Sequence, residues 1–204
     1  MKLSNEEVTR YSRHLTLPEV GMQGQLKLKE AKVLMIGAGG LGSPLGMYLG
    51  AAGIGTIGVI DFDVVDQTNL HRQIAHSLGD LGRPKAESLR ETLLAANPNV
   101  RVEVHDERLT RDNALELFEC YDIIADGSDN FETRYLINDA AFFTKKPLVS
   151  ASIFRFQGQL SVFDPASGGP CYRCLYSQPP PASPYRGCAP TGDCGPATRG
   201  EVLL

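Results

Sequence analysis

The chain has 204 residues, 42% of them hydrophobic and 22% charged, with a formal net charge of −4. That length supports one main domain with a real core, and the acidic balance argues against nucleic-acid binding, which wants a basic face. No stretch approaches the apolar length of a membrane span and MKLSNEEVTRYSRHL is too polar for a secretory signal, so a cytoplasmic protein without membrane association is expected.

The N-terminus reads as helical. Ser4 and Glu7 form an S-x-x-E capping pair ahead of a face carrying Arg10, Arg13 and His14. A second helical stretch near GQLKLKEA leads into the first strand. From residue 32 onward, strand and helix alternate. VLMIG is continuously apolar, as a parallel strand buried on both faces should be. Gly37-x-Gly39-x-x-Gly42 follows, and Ser43-Pro44 opens a helix with proline in its first turn. The second strand, TIGVID, ends in Asp61, roughly 20 residues beyond the glycines. A polar loop DVVDQTNLHRQ, a helix near PKAESLRETLLAANP, the strand VRVEVHDERL, the helix DNALELF and the strand YDIIADGSDN come next. A helix over ETRYLINDAAFFTKK and two further strands, PLVSASI and GQLSVF, complete the readable part. This alternation predicts a Rossmann-like, doubly wound, mainly parallel α/β sheet. Beyond Pro165 the chain is dense in Gly, Pro and Cys without apolar periodicity, and reads as a crossover loop or tail.

The glycine spacing between strand and helix is that of an adenosine-binding βαβ unit. Its glycines let the backbone approach a phosphate, the helix N-terminus faces negative charge, and Asp61 can accept from ribose hydroxyls. The commonest use of such a unit is in a dehydrogenase. Three features point elsewhere. The loop after the second strand places Asn69, Arg72 and Gln73 at the carboxyl edge of the sheet, where ligands lie in open α/β folds. Lys85 opens the next helix beside the same edge, although a cation at a helix start is slightly unfavourable. The fourth strand ends in Asp126-Gly-Ser-Asp129-Asn130, delivering a carboxylate where a metal bridging phosphates would sit. Hydride transfer needs neither cations nor such an acid, whereas phosphoryl or nucleotidyl transfer needs both. Plainer readings stand beside these: Arg72 as a solvated loop charge, Asp129 as a helix cap, and Asp63 and Asp66 as loop or capping acids.

GAGGLGSP, DFDVVDQTNLHRQ, GRPKAE, DGSDNFETRYLIND and CYRC together resemble the MoeB/ThiF family, relatives of the ubiquitin-activating enzymes, from about residue 4 to about residue 190. The resemblance implies an enzyme that uses ATP and Mg²⁺ to adenylate the C-terminal Gly-Gly carboxylate of a small ubiquitin-like sulfur-carrier protein. Pyrophosphate is released, and the sulfur serves molybdopterin, thiamine or thiolated-tRNA synthesis. Carried over, Gly37, Gly39, Gly40 and Gly42 would form the nucleotide loop and Asp61 would hold the ribose, with Asp63 counted in the same site. Asn69, Arg72 and Lys85 would bind phosphates with Gln73 nearby, and Asp129 would hold Mg²⁺ with Asn130 beside it. Arg13 matches an arginine inserted into the neighbouring subunit's ATP site, which implies a homodimer. The expected organisation is an N-terminal helical segment over 1–30, an ATP-binding domain over 31–165 and a Cys-rich loop or tail over 166–204.

Five cysteines stand at 120, 171, 174, 188 and 194, an odd count that favours metal or thiol chemistry over a disulfide framework. In the family, the pair matching Cys171 and Cys174 supplies half of a zinc site, and a second C-x-x-C supplies the rest; that second pair is absent here. Either Cys188 and Cys194 complete an unusual site, or a fuller chain carries the pair, or no zinc is bound. Cys188, beside Arg186, matches a loop cysteine that in some relatives bonds covalently to the carrier. A thiolate there would be activated by the neighbouring cation, and a bland loop cysteine is the alternative. Cys120, at the start of an apolar strand, reads as a core residue. Two rival functions are an NAD-dependent dehydrogenase and a catalytically idle ATP- or carrier-binding module.

Overall fold

A computed structural model describes residues 2–178. Three N-terminal helices, α1 (Asn5–Arg10), α2 (Ser12–Leu15) and α3 (Gly21–Glu30), precede the alternating part. There β1 (Lys32–Ile36), α4 (Gly42–Ala52), β2 (Thr56–Ile60), α5 (Lys85–Ala96) and β3 (Arg101–His105) are followed by α6 (Arg111–Glu119), β4 (Ile123–Asp126) and α7 (Phe131–Thr144). A hairpin of β5 (Leu148–Phe154) and β6 (Gln157–Phe163) and a short α8 (Tyr172–Leu175) end the described residues. The sheet runs β3-β2-β1-β4-β5-β6, all parallel except β6, which is antiparallel to β5. The predicted doubly wound sheet is therefore present.

Side chains on β1 alternate between two cores, because successive residues of a strand face opposite ways. Leu34 and Ile36 pack with Phe118 of α6 and with Tyr135 and Ile137 of α7. Val33 and Met35 pack with Leu89 and Leu93 of α5, and Leu45 and Leu49 of α4 join that cluster. Both faces are covered, hence the unbroken apolar run. The strand order reverses between β1 and β4, with β2 on the far side of β1, and a crevice at that point is where ligands lie in such sheets.

Three expectations need correction. The first helix is split: α1 forms the Ser4–Glu7 capping box but stops at Arg10, with Tyr11 as its cap. Tyr11 is drawn inward, where its hydroxyl accepts from Asn97 and its ring lies against Gly53. Cys120 is not a core strand residue; it caps the end of α6 and is exposed, because β4 begins only at Ile123. The CYRC segment is not irregular but forms α8, seated on α7.

Candidate functional site

The glycine loop begins where β1 ends. The Gly37 N–H donates to the Ile60 carbonyl at 2.9 Å, tying the loop to the end of β2. Gly37 takes φ +96°, and a Cβ on Gly42 would stand 1.9 Å from the Gly37 carbonyl oxygen, so both positions require glycine. Asp61, one residue past β2, closes the loop from the side: its carboxylate accepts from the Ala38 N–H at 2.7 Å and the Asp63 N–H at 2.8 Å. Burial pushes the Asp61 carboxyl above its ordinary range, against those two N–H groups and the Lys85 charge. Each oxygen keeps a lone pair for a further donor.

The segment between β2 and α5 is pinned at its base. Val65 N–H donates to Arg83, Gly82 to Val65 and Lys85 to Asp63, each at 2.9 Å. The residues between are thus folded back toward the glycine loop. The Arg72 side chain lies against Gly40, about where a Cβ would make ordinary contact at 3.5 Å, and its guanidinium donates to Asn69 Oδ1 at 2.8 Å. Gln73 is 4% exposed beside Gly39, and its Oε1 is buried without a hydrogen-bond partner among the described residues. Lys85 is 6% exposed and its ammonium pairs with Asp63 at 2.8 Å. That pair explains how a buried cation is tolerated at the start of α5.

At the end of β4, Asp126 is buried and accepts from the Ser128 N–H at 2.9 Å and from the hydroxyls of Ser128 and Ser150. Burial raises its pKa, the Ser128 contacts and Arg134 opposing. Asp129 is exposed and has no side-chain partner among the described residues. It is not the helix cap; Asn130 is, accepting from the Thr133 N–H at 2.8 Å. The Asn130 carbonyl is thereby committed to α7.

One expected residue is not brought to this edge. Arg13 sits on α2, exposed, between Tyr11, which is bound to Asn97 just after α5, and His14, bonded to Gln25 at 2.8 Å. Gln25 in turn donates to Ala52 at the C-terminal end of α4. Those helix ends lie at the amino edge of the sheet, opposite the glycine loop.

The thiols of Cys171 and Cys174 are 3.7 Å apart. Their turn is held on α7 by Tyr172 N–H to Asn138 (2.8 Å) and by Arg173 to both oxygens of Asp139 (2.6 and 2.7 Å). Burial pushes the Cys171 thiol up, yet the Cys174 N–H and thiol, the Arg173 N–H and the Asn138 amide hold it below its ordinary value. Structural zinc is four-coordinate, and among the described residues no third His, Cys, Asp or Glu joins the pair. Two thiols alone do not fit the metal. Cys188, Cys194 and Arg186 lie outside the described residues.

Sequence reasoning missed His76 and Ser88, both buried behind the glycine loop. The available signal was a serine one turn after Lys85, on the same helix face.

The profile of the ThiF family matches residues 11–199. The chain is 56% identical over 196 residues to the probable adenylyltransferase/sulfurtransferase MoeZ of Mycobacterium tuberculosis, covering 95% of this chain and 50% of that protein. It is 50% identical over 197 residues to the adenylyltransferase and sulfurtransferase MOCS3 of Aedes aegypti (97% and 45% covered). To the sulfur carrier protein adenylyltransferase of Thermus thermophilus it is 48% identical over 209 positions (100% and 77%). The chain thus spans about half the length of the first of these curated relatives. Among solved structures, E. coli MccB with ATP superposes with a TM-score of 0.73 at 29% identity, covering 81% of this chain and 50% of that one.

Proposed function

Because the chain belongs to the ThiF family, we propose that it is an ATP-dependent adenylyltransferase that activates the C-terminal Gly-Gly carboxylate of a small ubiquitin-like sulfur-carrier protein. The reading is carried by one observation: Arg72 lies against Gly40 at the mouth of the glycine loop, with Gln73 against Gly39. The names of the relatives, adenylyltransferases and a sulfur carrier protein adenylyltransferase, support the reaction class.

In this scheme the triphosphate lies along Gly37–Gly42, and Asp61 takes the ribose hydroxyls on its spare lone pairs. Arg72 and Asn69 meet phosphate oxygens, and Lys85 exchanges Asp63 for them. Asp129 would hold Mg²⁺ with Asn130 beside it; such an ion needs only one or two carboxylates plus phosphates and supplies neutralisation of their charge. The carrier's carboxylate oxygen attacks the α-phosphorus, the bond to the bridging oxygen breaks, and pyrophosphate leaves with that electron pair, giving the acyl-adenylate. Both partners are anionic, so the cations lower the repulsion and stabilise charge growing on the leaving group. Arg13, at the opposite edge of its own sheet, would act in a second copy, making the enzyme a homodimer. Among the described residues no helix is long and apolar enough to cross a membrane.

ATP–pyrophosphate exchange with a Gly-Gly carrier tests the reading. Arg72→Ala is expected to lose on the order of 10²–10³ in rate, as for loss of a transition-state charge partner. Wild-type exchange in that variant would overturn the assignment.

A further inference from the structure

His76, 7% exposed, lies behind the glycine loop and touches it once. Its Nε2 is 3.0 Å from the Ala38 carbonyl oxygen and its Nδ1 is 2.8 Å from the Ser88 hydroxyl. A carbonyl only accepts, so Nε2 carries the hydrogen. In the neutral ring Nδ1 then accepts from the Ser88 O–H. Ala38 is held on both sides, since its N–H, in the preceding peptide, donates to Asp61, and the Ser43 hydroxyl adds a bond to the same carbonyl at 3.2 Å. Ser88 stands one turn after Lys85 on α5. One imidazole therefore joins the loop proposed to cradle phosphate to the helix proposed to bring the phosphate-binding lysine.

We propose that His76, as its neutral Nε2–H tautomer, is a positioning residue that sets the glycine loop in register with Lys85 for the triphosphate. The inference rests on the adenylation reading above. The charged groups facing the ring are Lys85 from α5, Asp80 from the 3₁₀ turn before it and Asp61 from the end of β2. Burial disfavours the imidazolium, with the Ala38 carbonyl opposing and Lys85 adding to the depression; Asp80 and Asp61 oppose. Protonation turns Nδ1 into a donor, and the Ser88 hydroxyl must then send its hydrogen elsewhere. Asp80, held below its usual range chiefly by the Ser77 hydroxyl and in lesser part by Ser88, is the acceptor in reach. The new positive charge also faces Lys85. Acid keeps the bond to Ala38 but reverses the bond to Ser88, so ATP binding depends on pH through this ring.

The test follows Mg·ATP affinity by calorimetry, and the ATP KM and kcat of exchange, from about pH 5.5 to 8, across the histidine range. Wild type, His76→Phe and His76→Gln are compared in the full chain. Wild-type affinity is expected to show a step on the acid side. His76→Phe raises the ATP Kd and KM about tenfold, the scale of one lost hydrogen bond, leaves kcat at saturating ATP nearly intact and abolishes the acid step. His76→Gln, whose amide N–H can reach the Ala38 carbonyl, restores affinity but shows no step. Independently of ATP, and of whether the Phe variant folds, imidazole ¹⁵N–¹H correlations of the wild type are expected to show a neutral ring protonated on Nε2. Wild-type affinity and acid step in a folded His76→Phe, or a ring protonated on Nδ1, overturns the inference. Wild type failing to bind Mg·ATP while the ring is the Nε2–H tautomer sinks the adenylation reading instead.

Discussion

Lys85 is the residue at which stability and ligand binding meet. Its ammonium is buried and answered by Asp63, whose own side chain is half exposed. Removing that counter-charge leaves a desolvated cation, so Asp63→Asn is expected to cost about 1–3 kcal/mol, below the full penalty of a wholly buried pair because Asp63 is partly in water. A bound triphosphate supplies the missing charge. Mg·ATP is therefore expected to raise the Tm of Asp63→Asn by more than it raises that of the wild type, in a thermal-shift measurement; equal shifts would mean that Lys85 does not meet phosphate. The acid side carries a second signature. His76 has a depressed pKa in the folded chain, so the unfolded chain binds more protons near and below about pH 6.5, and stability is full above that value and lost as pH falls through the folded pKa. Asp61 and Asp126, both raised by burial, act with the opposite sign and cancel in a comparison with His76→Gln. The variant is expected to lose less Tm than the wild type between about pH 6.5 and 5. An identical slope would show that His76 does not titrate with folding.

The unit of β1, glycine loop and α4 shows how far local sequence determines a site. Its apolar run and its glycine spacing were legible because a strand buried on both faces and a turn too tight for a side chain leave composition no freedom. Asn69, Arg72 and Gln73 were legible too, since they follow β2 directly and must emerge at its carboxyl edge. His76 and Ser88 were not, because their meeting depends on the loop folding back and being closed at its base by Val65, Gly82 and Lys85. The break after Arg10 and the exposure of Cys120 were equally hidden: a tertiary bond from Asn97 to Tyr11 ends one helix, and a helix cap occupies what reads as strand. Two glycines of this unit are expected to part in their effects. A Cβ on Gly42 overlaps the Gly37 carbonyl, so Gly42→Ala is expected to cost about 1–3 kcal/mol or more, measured by denaturant unfolding. At Gly40 the atoms nearest a Cβ belong to the Arg72 side chain, from 3.5 Å, an ordinary contact. Gly40→Ala is expected to keep its stability within about 0.5 kcal/mol yet weaken ATP binding, because the methyl occupies the approach to phosphate. Unchanged affinity would remove Gly40 from the nucleotide site.

At the scale of the molecule, the two edges of the sheet have different duties. The carboxyl edge gathers Asp61, Arg72, Lys85 and Asp129, while the amino edge anchors α1–α3 through Asn97 to Tyr11, Gln25 to Ala52 and Arg10 to Ala96. Arg13 belongs to the second edge, and its neighbours are fixed there at both sides, so it cannot swing to its own glycine loop without breaking those bonds. A catalytic Arg13 must therefore serve another copy. This makes a prediction that single variants cannot. Arg13→Ala and Arg72→Ala are each expected to be inactive in ATP–pyrophosphate exchange. In the proposed homodimer, unfolding the two together and refolding them in equal amounts makes half of the dimers mixed. Each mixed dimer holds one site with Arg72 from one protomer and Arg13 from the other, and one site with neither. Exchange is then expected to recover to about a quarter of the wild-type rate per protomer. Were Arg13 to act within its own chain, every site in the mixture would lack one of the two arginines, and no activity would return.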